Sequence, residues 1–70
     1  MGKVRLKVRE FADLKGWTLR EVSDRSAIPY ATIKKYAKAP TLATVDYTAL
    51  MKLARVFEVT IEDLIEVVEE

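Results

Sequence analysis

The sequence has no cysteine and no histidine, and its 70 residues include only two glycines and two prolines. These absences exclude disulfides, thiolate nucleophiles, imidazole bases and the common zinc ligands. A pair of carboxylates could still act as acid and base, but no glycine-rich loop accompanies the acidic residues. We therefore expect a protein that is not an enzyme, with no catalytic residues, no cofactor and no metal site.

Long apolar runs are also absent, so the sequence predicts neither a membrane span nor a signal peptide, and we expect a cytoplasmic protein. Half of the residues are nevertheless apolar. This proportion favours a small globular core over disorder. A chain of this length suits one small domain, which we assign to residues 1–70.

Charge is distributed unevenly along the chain. Residues 1–38 contain ten basic and four acidic side chains, whereas residues 39–70 contain two basic and seven acidic ones. The basic half could face a polyanion such as a nucleic acid. Alternatively, the two halves could neutralise each other in the fold. The sequence leaves both interpretations open.

The two ends of the chain have a β-strand character. In "KVRLKVR" at 3–9, Val4, Leu6 and Val8 alternate with basic residues, which predicts a short half-buried strand. The tail "IEVVEE" is β-branched and acidic, so we predict that it pairs with the first strand. Its acids Glu66, Glu69 and Glu70 complement the bases Lys3, Arg5 and Lys7. The alternative is a fifth helix that continues to the end of the chain.

The first three predicted helices follow the first strand. One runs from about Leu6–Val8 to Lys15 and stops at Gly16. The segment "TLRE" at 18–21 has the form of a capping box and opens a second helix that runs to about Arg25. Pro29 suits the first position of the third helix, which ends at Lys38.

Two further helices complete the prediction. The segment "APTLAT" at 39–44 is a predicted loop in which Pro40 breaks the helical pattern, and Asp46 is the predicted N-cap of a fourth helix. Thr60 and Asp63 predict a cap for a short fifth helix through about Ile65. The fourth helix has a wide apolar stripe, which predicts that it is the central core helix with these residues inward: Tyr47, Leu50, Met51, Leu53, Ala54 and Phe57.

The third helix has two chemically different faces. At about 100° per residue, Ile33, Tyr36 and Ala37 fall on one side, with Tyr30 and Thr32 at the borders. The opposite side is small or cationic and consists of Ala31, Lys34, Lys35 and Lys38. No acid occurs from residue 25 to residue 45. Two short helices joined by a tight turn form a helix-turn-helix unit, whose second helix can enter the major groove of DNA.

Residues 8–65 resemble the lambda-repressor-like (Cro/cI-type, Xre) family of DNA-binding domains. The resemblance rests on the order and spacing of "KGWT", "ATI" and "LMKLARVFEVTIEDLI". It implies a mainly α, compact five-helix domain, with a helix-turn-helix unit at about 18–38; the terminal segments would add a short antiparallel strand pair. The chain departs from the family pattern at Leu19, where glutamine is usual, at Ala27, where glycine is usual, and at Ser23, where alanine is usual.

The same resemblance implies a transcriptional regulator, a repressor that binds double-stranded DNA sequence-specifically as a homodimer on a pseudo-palindromic site. Its base-facing positions fall on Tyr30, Ala31, Thr32, Lys34 and Lys35. Its phosphate-facing positions fall on Lys38, Thr18, Arg20 and Thr41. The alternative function is a protein-interaction module, an antitoxin or adaptor that contacts its partner through the acidic carboxy-terminal half.

Overall fold

The computed structural model describes residues 3–39, 42 and 45–68. Within these residues the chain forms a two-stranded sheet and five helices. In chain order the elements are β1 (Lys3–Leu6), α1 (Val8–Lys15), α2 (Leu19–Ser26), α3 (Tyr30–Lys38), α4 (Tyr47–Phe57), α5 (Ile61–Leu64) and β2 (Ile65–Val68). The predicted mainly helical fold is therefore confirmed.

The two terminal strands pair with each other. β1 and β2 run antiparallel in a register that places Lys3 opposite Val68 and Leu6 opposite Ile65. The predicted strand pair is confirmed, and the alternative of a continuing fifth helix is wrong. The β-branched side chains of the tail favour the extended backbone, and β1 provides the partner that it needs. Glu69 and Glu70 lie outside the described residues.

The end of α1 and the start of α2 follow the predicted signals, with one exception. α1 stops at Gly16, whose φ of 74° lies in the left-handed region. At the start of α2 the Thr18 hydroxyl accepts a hydrogen bond from the Glu21 N–H at 3.1 Å. The reciprocal half of the predicted capping box is wrong, because the Glu21 carboxylate pairs with Arg25 at 3.0 Å instead. An i, i+4 pair of opposite charge is itself favourable on a helix.

The later helix caps agree closely with the sequence. Asp46 caps α4 by accepting from the Thr48 N–H. Thr60 and Asp63 form a complete capping box at α5. The sequence predicted Pro29 as the first residue of α3, but Pro29 is the N-cap of that helix. The shift by one residue changes little, since neither position requires the N–H that proline lacks.

The core lies between the helices and one face of the terminal sheet. Its largest fully buried side chains include Phe57, Leu53, Ile33 and Leu6. The rings of Phe11 and Trp17 stack on Phe57 with centroid distances of 5.6 and 5.9 Å. These aromatic contacts join α1, the connection after it and α4. Phe57 is buried, as predicted, and Phe11 and Trp17 pack against the core as partly buried residues.

The buried stripe of α4 is narrower than predicted. Tyr47 and Met51, both expected inside, are 65% and 41% exposed. Ala49, which was not expected inside, is buried. On the helical wheel Tyr47 and Met51 lie at the edge of the apolar stripe that contains Leu50 and Leu53. Apolar character alone therefore did not distinguish the edge of this stripe from its buried centre. No helix among the described residues is long and apolar enough to cross a membrane.

Candidate nucleic-acid interface

α3 has the two faces that the sequence predicted. Ile33 is fully buried and Tyr36 is 7% exposed, so they fix the helix against the core. Tyr30 and Thr32 are half-buried at the borders, as expected. Four exposed side chains form the outward face of α3, which we call the lysine face: Ala31, Lys34, Lys35 and Lys38. The lysine face is thus small and cationic throughout.

The connection between α2 and α3 is held by two serine hydroxyls. Ser23 Oγ donates to the Ile28 carbonyl at 2.5 Å, and Ser26 Oγ accepts from the Ile28 N–H at 3.3 Å. Ile28 itself is 5% exposed, which anchors the turn in the core. Ser23 stands where the family usually has alanine, so its hydroxyl adds a tie that alanine would not provide. The orientation of α3 is fixed by these contacts.

Ala27 ends α2 in the left-handed conformation, with φ of 61°. Glycine adopts this region at no steric cost, whereas a Cβ is strained there. Ala27, which stands where the family usually has glycine, therefore keeps the left-handed backbone conformation that glycine favours. The departure from glycine has left a strained alanine at the start of the α2–α3 connection.

The amino ends of α2 and α3 are joined by a side-chain stack. The Arg20 guanidinium lies 4.4 Å from the centroid of the Tyr30 ring. Stacking uses the face of the guanidinium and leaves its in-plane N–H donors available. Sequence reasoning missed this contact, because a pair ten residues apart across a turn leaves no periodic signal.

The remaining predicted positions flank this stack or lie outside the description. Thr18 is exposed at the amino end of α2, next to Arg20. Its hydroxyl accepts the cap bond from Glu21, so its own O–H can still donate. Thr41 lies outside the described residues. The contact with Tyr30 thus places Arg20 at the amino end of α3, the helix on which the lysine face lies.

Positive charge on the lysine face is not neutralised by an ion pair among the described residues. The neutralisation that the sequence left open occurs elsewhere. Arg5 pairs with Glu66 at 2.7 Å, and Lys15 pairs with Glu58 at 3.6 Å, so each pair joins the basic half of the chain to the acidic half. The two halves of the chain therefore neutralise each other at these pairs, and the lysine face keeps the uncompensated positive charge that contact with a polyanion would require.

The shifted ionisations belong to Arg5 on β1 and Glu10 on α1, and not to α3. Hydrogen bonding to Arg5 lowers the pKa of the Glu10 carboxyl, and bonds to Glu10 and Glu66 raise the pKa of Arg5. The part of the chain that the structure describes contains no cluster of acidic side chains that could hold a metal ion. The chemistry on offer at the lysine face is that of hydrogen-bond donors, methyl groups and positive charge.

A family model described as the Cro/C1-type HTH DNA-binding domain matches residues 7–70. The chain belongs to this family. The resemblance found in the short sequence motifs is confirmed, and DNA is the partner that membership of this Cro/C1-type family implies. Comparison with curated proteins and with solved structures gave no match.

Proposed function

We propose that this Cro/C1-type domain is a transcriptional regulator that recognises a specific double-stranded DNA sequence. Residues 1–70 act as one domain, and residues 18–38 are its helix-turn-helix unit. The observation that carries the proposal is the lysine face, which is exposed and uniformly small or cationic on a helix anchored by Ile33 and Tyr36. A helix of this kind fits a major groove about 12 Å wide.

The base contacts come from the middle of α3. Lys34 and Lys35 donate to guanine O6 and N7, while the methyl groups of Ala31 and Thr32 contact thymine methyl groups. The small side chain of Ala31 allows the helix backbone to approach the base edges closely. Tyr30, held by Arg20 at 4.4 Å, presents its ring edge and hydroxyl at the amino end of the helix.

The phosphate contacts surround the base contacts. Lys38 lies at the end of α3, and Thr18 and Arg20 lie at the start of α2, where the helix dipole also favours an anion. Thr41 remains a predicted phosphate contact in the loop after α3. These contacts position the domain on the duplex without reading its sequence.

Repression by site occupancy is the proposed mode of regulation, in the cytoplasm. One short recognition helix reads few base pairs, so we propose that a homodimer binds a pseudo-palindromic site. The acidic half of the chain is less suited to the alternative role of a partner surface, because Glu58 and Glu66 are engaged in ion pairs with the basic half.

Selection from random duplexes tests sequence recognition and stoichiometry together. We expect an enriched site with two related half-sites, about 10–10.5 base pairs apart from centre to centre. A single enriched half-site would contradict the homodimer and leave sequence-specific binding intact. A wild-type domain that shows only weak, sequence-blind association would contradict the regulator itself.

Single substitutions then separate base contacts from phosphate contacts. Lys35→Ala should lose about 1–3 kcal/mol of binding free energy on the selected site and much less on random duplex. Lys38→Ala should weaken both, and should flatten the dependence of log K on log salt by about 0.9. The measurement is a titration with both duplexes at two salt concentrations.

Lys52→Ala is the matched control, because Lys52 is an exposed lysine on α4 and not on α3. It should leave affinity for the selected site unchanged within about twofold. Equal losses from Lys35→Ala and Lys52→Ala would mean that α3 is not the helix that reads the bases.

A further inference from the structure

A groove runs between α2 and α4, with a cavity volume of about 370 Å³. The side chains that matter for its chemistry are Arg25, Thr48, Met51, Lys52, Arg55 and Val56. Met51 is 41% exposed and Val56 is half-buried, so the floor is apolar and accessible. No residue of the lysine face lines this groove.

The outward surface of α4 beside the groove carries an exposed stripe. Tyr47, Met51 and Arg55 are spaced four residues apart and therefore lie along one side of the helix. Tyr47 is 65% exposed, although a tyrosine ring buries a large area when it finds a partner. Tyrosine, methionine and arginine are the residue types that protein interfaces favour over the rest of the surface.

The rim of the groove is positively charged. Among the described residues, Lys52 and Arg55 have no ion pair, and no acidic side chain lines the groove. Arg25 is the exception, since it pairs with Glu21 and stacks over Trp17 at 4.3 Å. Lys52 and Arg55 thus provide two uncompensated cations beside an apolar floor.

This combination selects among the occupants that could cover the groove. A second copy related by a two-fold axis would bring Lys52 and Arg55 against their own equivalents, and like charges facing each other are unfavourable. A copy that used its acidic residues instead would form a head-to-tail contact, which gives a ring or an open filament and not the two-fold dimer that is commonest among oligomers. A DNA backbone would use the cations, but it offers nothing apolar to Met51 and Tyr47.

We propose that the α2–α4 groove docks an acidic segment of a partner protein, with an apolar side chain of that segment beside Met51 and its carboxylates on Lys52 and Arg55. The lining of this groove shares no residue with the lysine face. It gives the DNA-binding domain a second site through which another protein can be recruited or can act on it. The proposal does not depend on the DNA sequence that α3 reads.

The test uses a labelled 16-residue peptide designed as an amphipathic helix, with Asp and Glu on one face and Leu and Phe on the other. Amide signals of the ¹⁵N-labelled protein report where it binds, and fluorescence anisotropy reports its affinity. We expect shifts at Met51, Lys52 and Arg55. The double variant Lys52→Glu/Arg55→Glu should weaken binding at least about tenfold, and so should Met51→Asp.

Two controls make the test specific. Lys35→Glu makes the same change of charge on the lysine face and should leave peptide affinity within about twofold. A second peptide, with its Leu and Phe replaced by Ser and its acids retained, should bind at least about tenfold more weakly. All the substituted positions are exposed, so circular dichroism should show an unchanged fold.

Four outcomes would overturn the proposal. They are absence of binding, signal shifts on α3 in place of α4, equal binding of the serine-substituted peptide, and a monomer–dimer equilibrium that Met51→Asp abolishes in sedimentation. The last would assign the groove to a second copy of the chain. None of the four bears on duplex binding by the lysine face, which is measured separately.

Discussion

The helix-turn-helix unit and the terminal sheet use positive charge in opposite ways. In the sheet, Arg5 lies between two carboxylates, Glu10 and Glu66, and bonds to both. On α3, the lysine face has no ion pair among the described residues. The formal net charge of +1 therefore conceals one neutralised region and one cationic surface.

The comparison shows that the same residue class contributes to different properties in the two places. Arg5 links the strands of a sheet that has only two strands and is marginal by itself. The lysines of α3 contribute nothing comparable to folding, because exposed charges without partners add little stability. The stability of α3 must then come from its buried side and from the turn before it.

Substitution on the two sides of α3 should give the largest contrast. Ile33→Ala removes a fully buried side chain and should lower the free energy of unfolding by about 2–5 kcal/mol. Lys35→Ala, on the lysine face, should change it by less than about 0.5 kcal/mol. Urea unfolding of the two variants measures both values. Equal losses would show that the lysine face contributes to folding and would remove the contrast with the sheet.

Local signals made most of the fold predictable from sequence. Gly16 stops α1, Asp46 caps α4, and Thr60 caps α5, each because one side chain or one backbone conformation determines the helix end. The terminal sheet was predictable because apolar and basic residues alternate near Val4, and the tail of the chain is β-branched and of opposite charge. These signals act over a few residues, or through a pattern that has only one complement in a short chain.

The failures share a different cause. Tyr47 and Met51 are exposed because the centre of the α4 stripe lies elsewhere, and only the packing of neighbouring helices fixes that centre. Glu21 pairs with Arg25 and not with the backbone of Thr18, since the two partners compete for one carboxylate. In both cases composition allowed two arrangements and tertiary contacts selected one.

The candidate site divides in the same way. The exposed side chains of α3 could be predicted from the helical period, because burial of Ile33 fixes which side of the helix faces the core. The Arg20–Tyr30 stack and the serine ties to Ile28 did not follow, because they cross the turn. The groove between α2 and α4 is also a product of packing, and its residues come from segments more than twenty positions apart.

The turn provides a second, smaller test of what stabilises the helix-turn-helix unit. Ala27→Gly relieves a left-handed alanine with φ of 61° and should raise the free energy of unfolding by about 0.5–1 kcal/mol. Ala39→Gly is the matched control, since Ala39 caps α3 with φ of −66° and gains no relief. It should lower stability by about 0.4–1 kcal/mol. Thermal unfolding measures both, and a loss from Ala27→Gly would mean that the turn holds no strain.

The smallest expected effect concerns the ion pairs of the terminal sheet. Hydrogen bonding to Arg5 holds the pKa of the Glu10 carboxyl below its ordinary value, so the folded state favours the ionised form. A carboxyl with a lowered folded pKa stabilises the protein above its unfolded pKa, and this contribution is lost as pH falls through the folded pKa. Because Glu10 is 48% exposed, solvent screening limits the contribution to about 0–1 kcal/mol.

Glu10→Gln should therefore lower the free energy of unfolding at pH 7 and have progressively less effect as pH falls through the lowered folded pKa of Glu10, where the wild-type carboxyl takes up its proton. Urea unfolding of both proteins across that range measures the difference. In an Arg5→Gln background the same substitution should have a smaller effect at pH 7, because the main partner of Glu10 is gone. A loss from Glu10→Gln that persists at low pH, or that is undiminished in that background, would assign the effect to helix packing. The charges of the terminal sheet, like those of the lysine face, would then not contribute to folding stability.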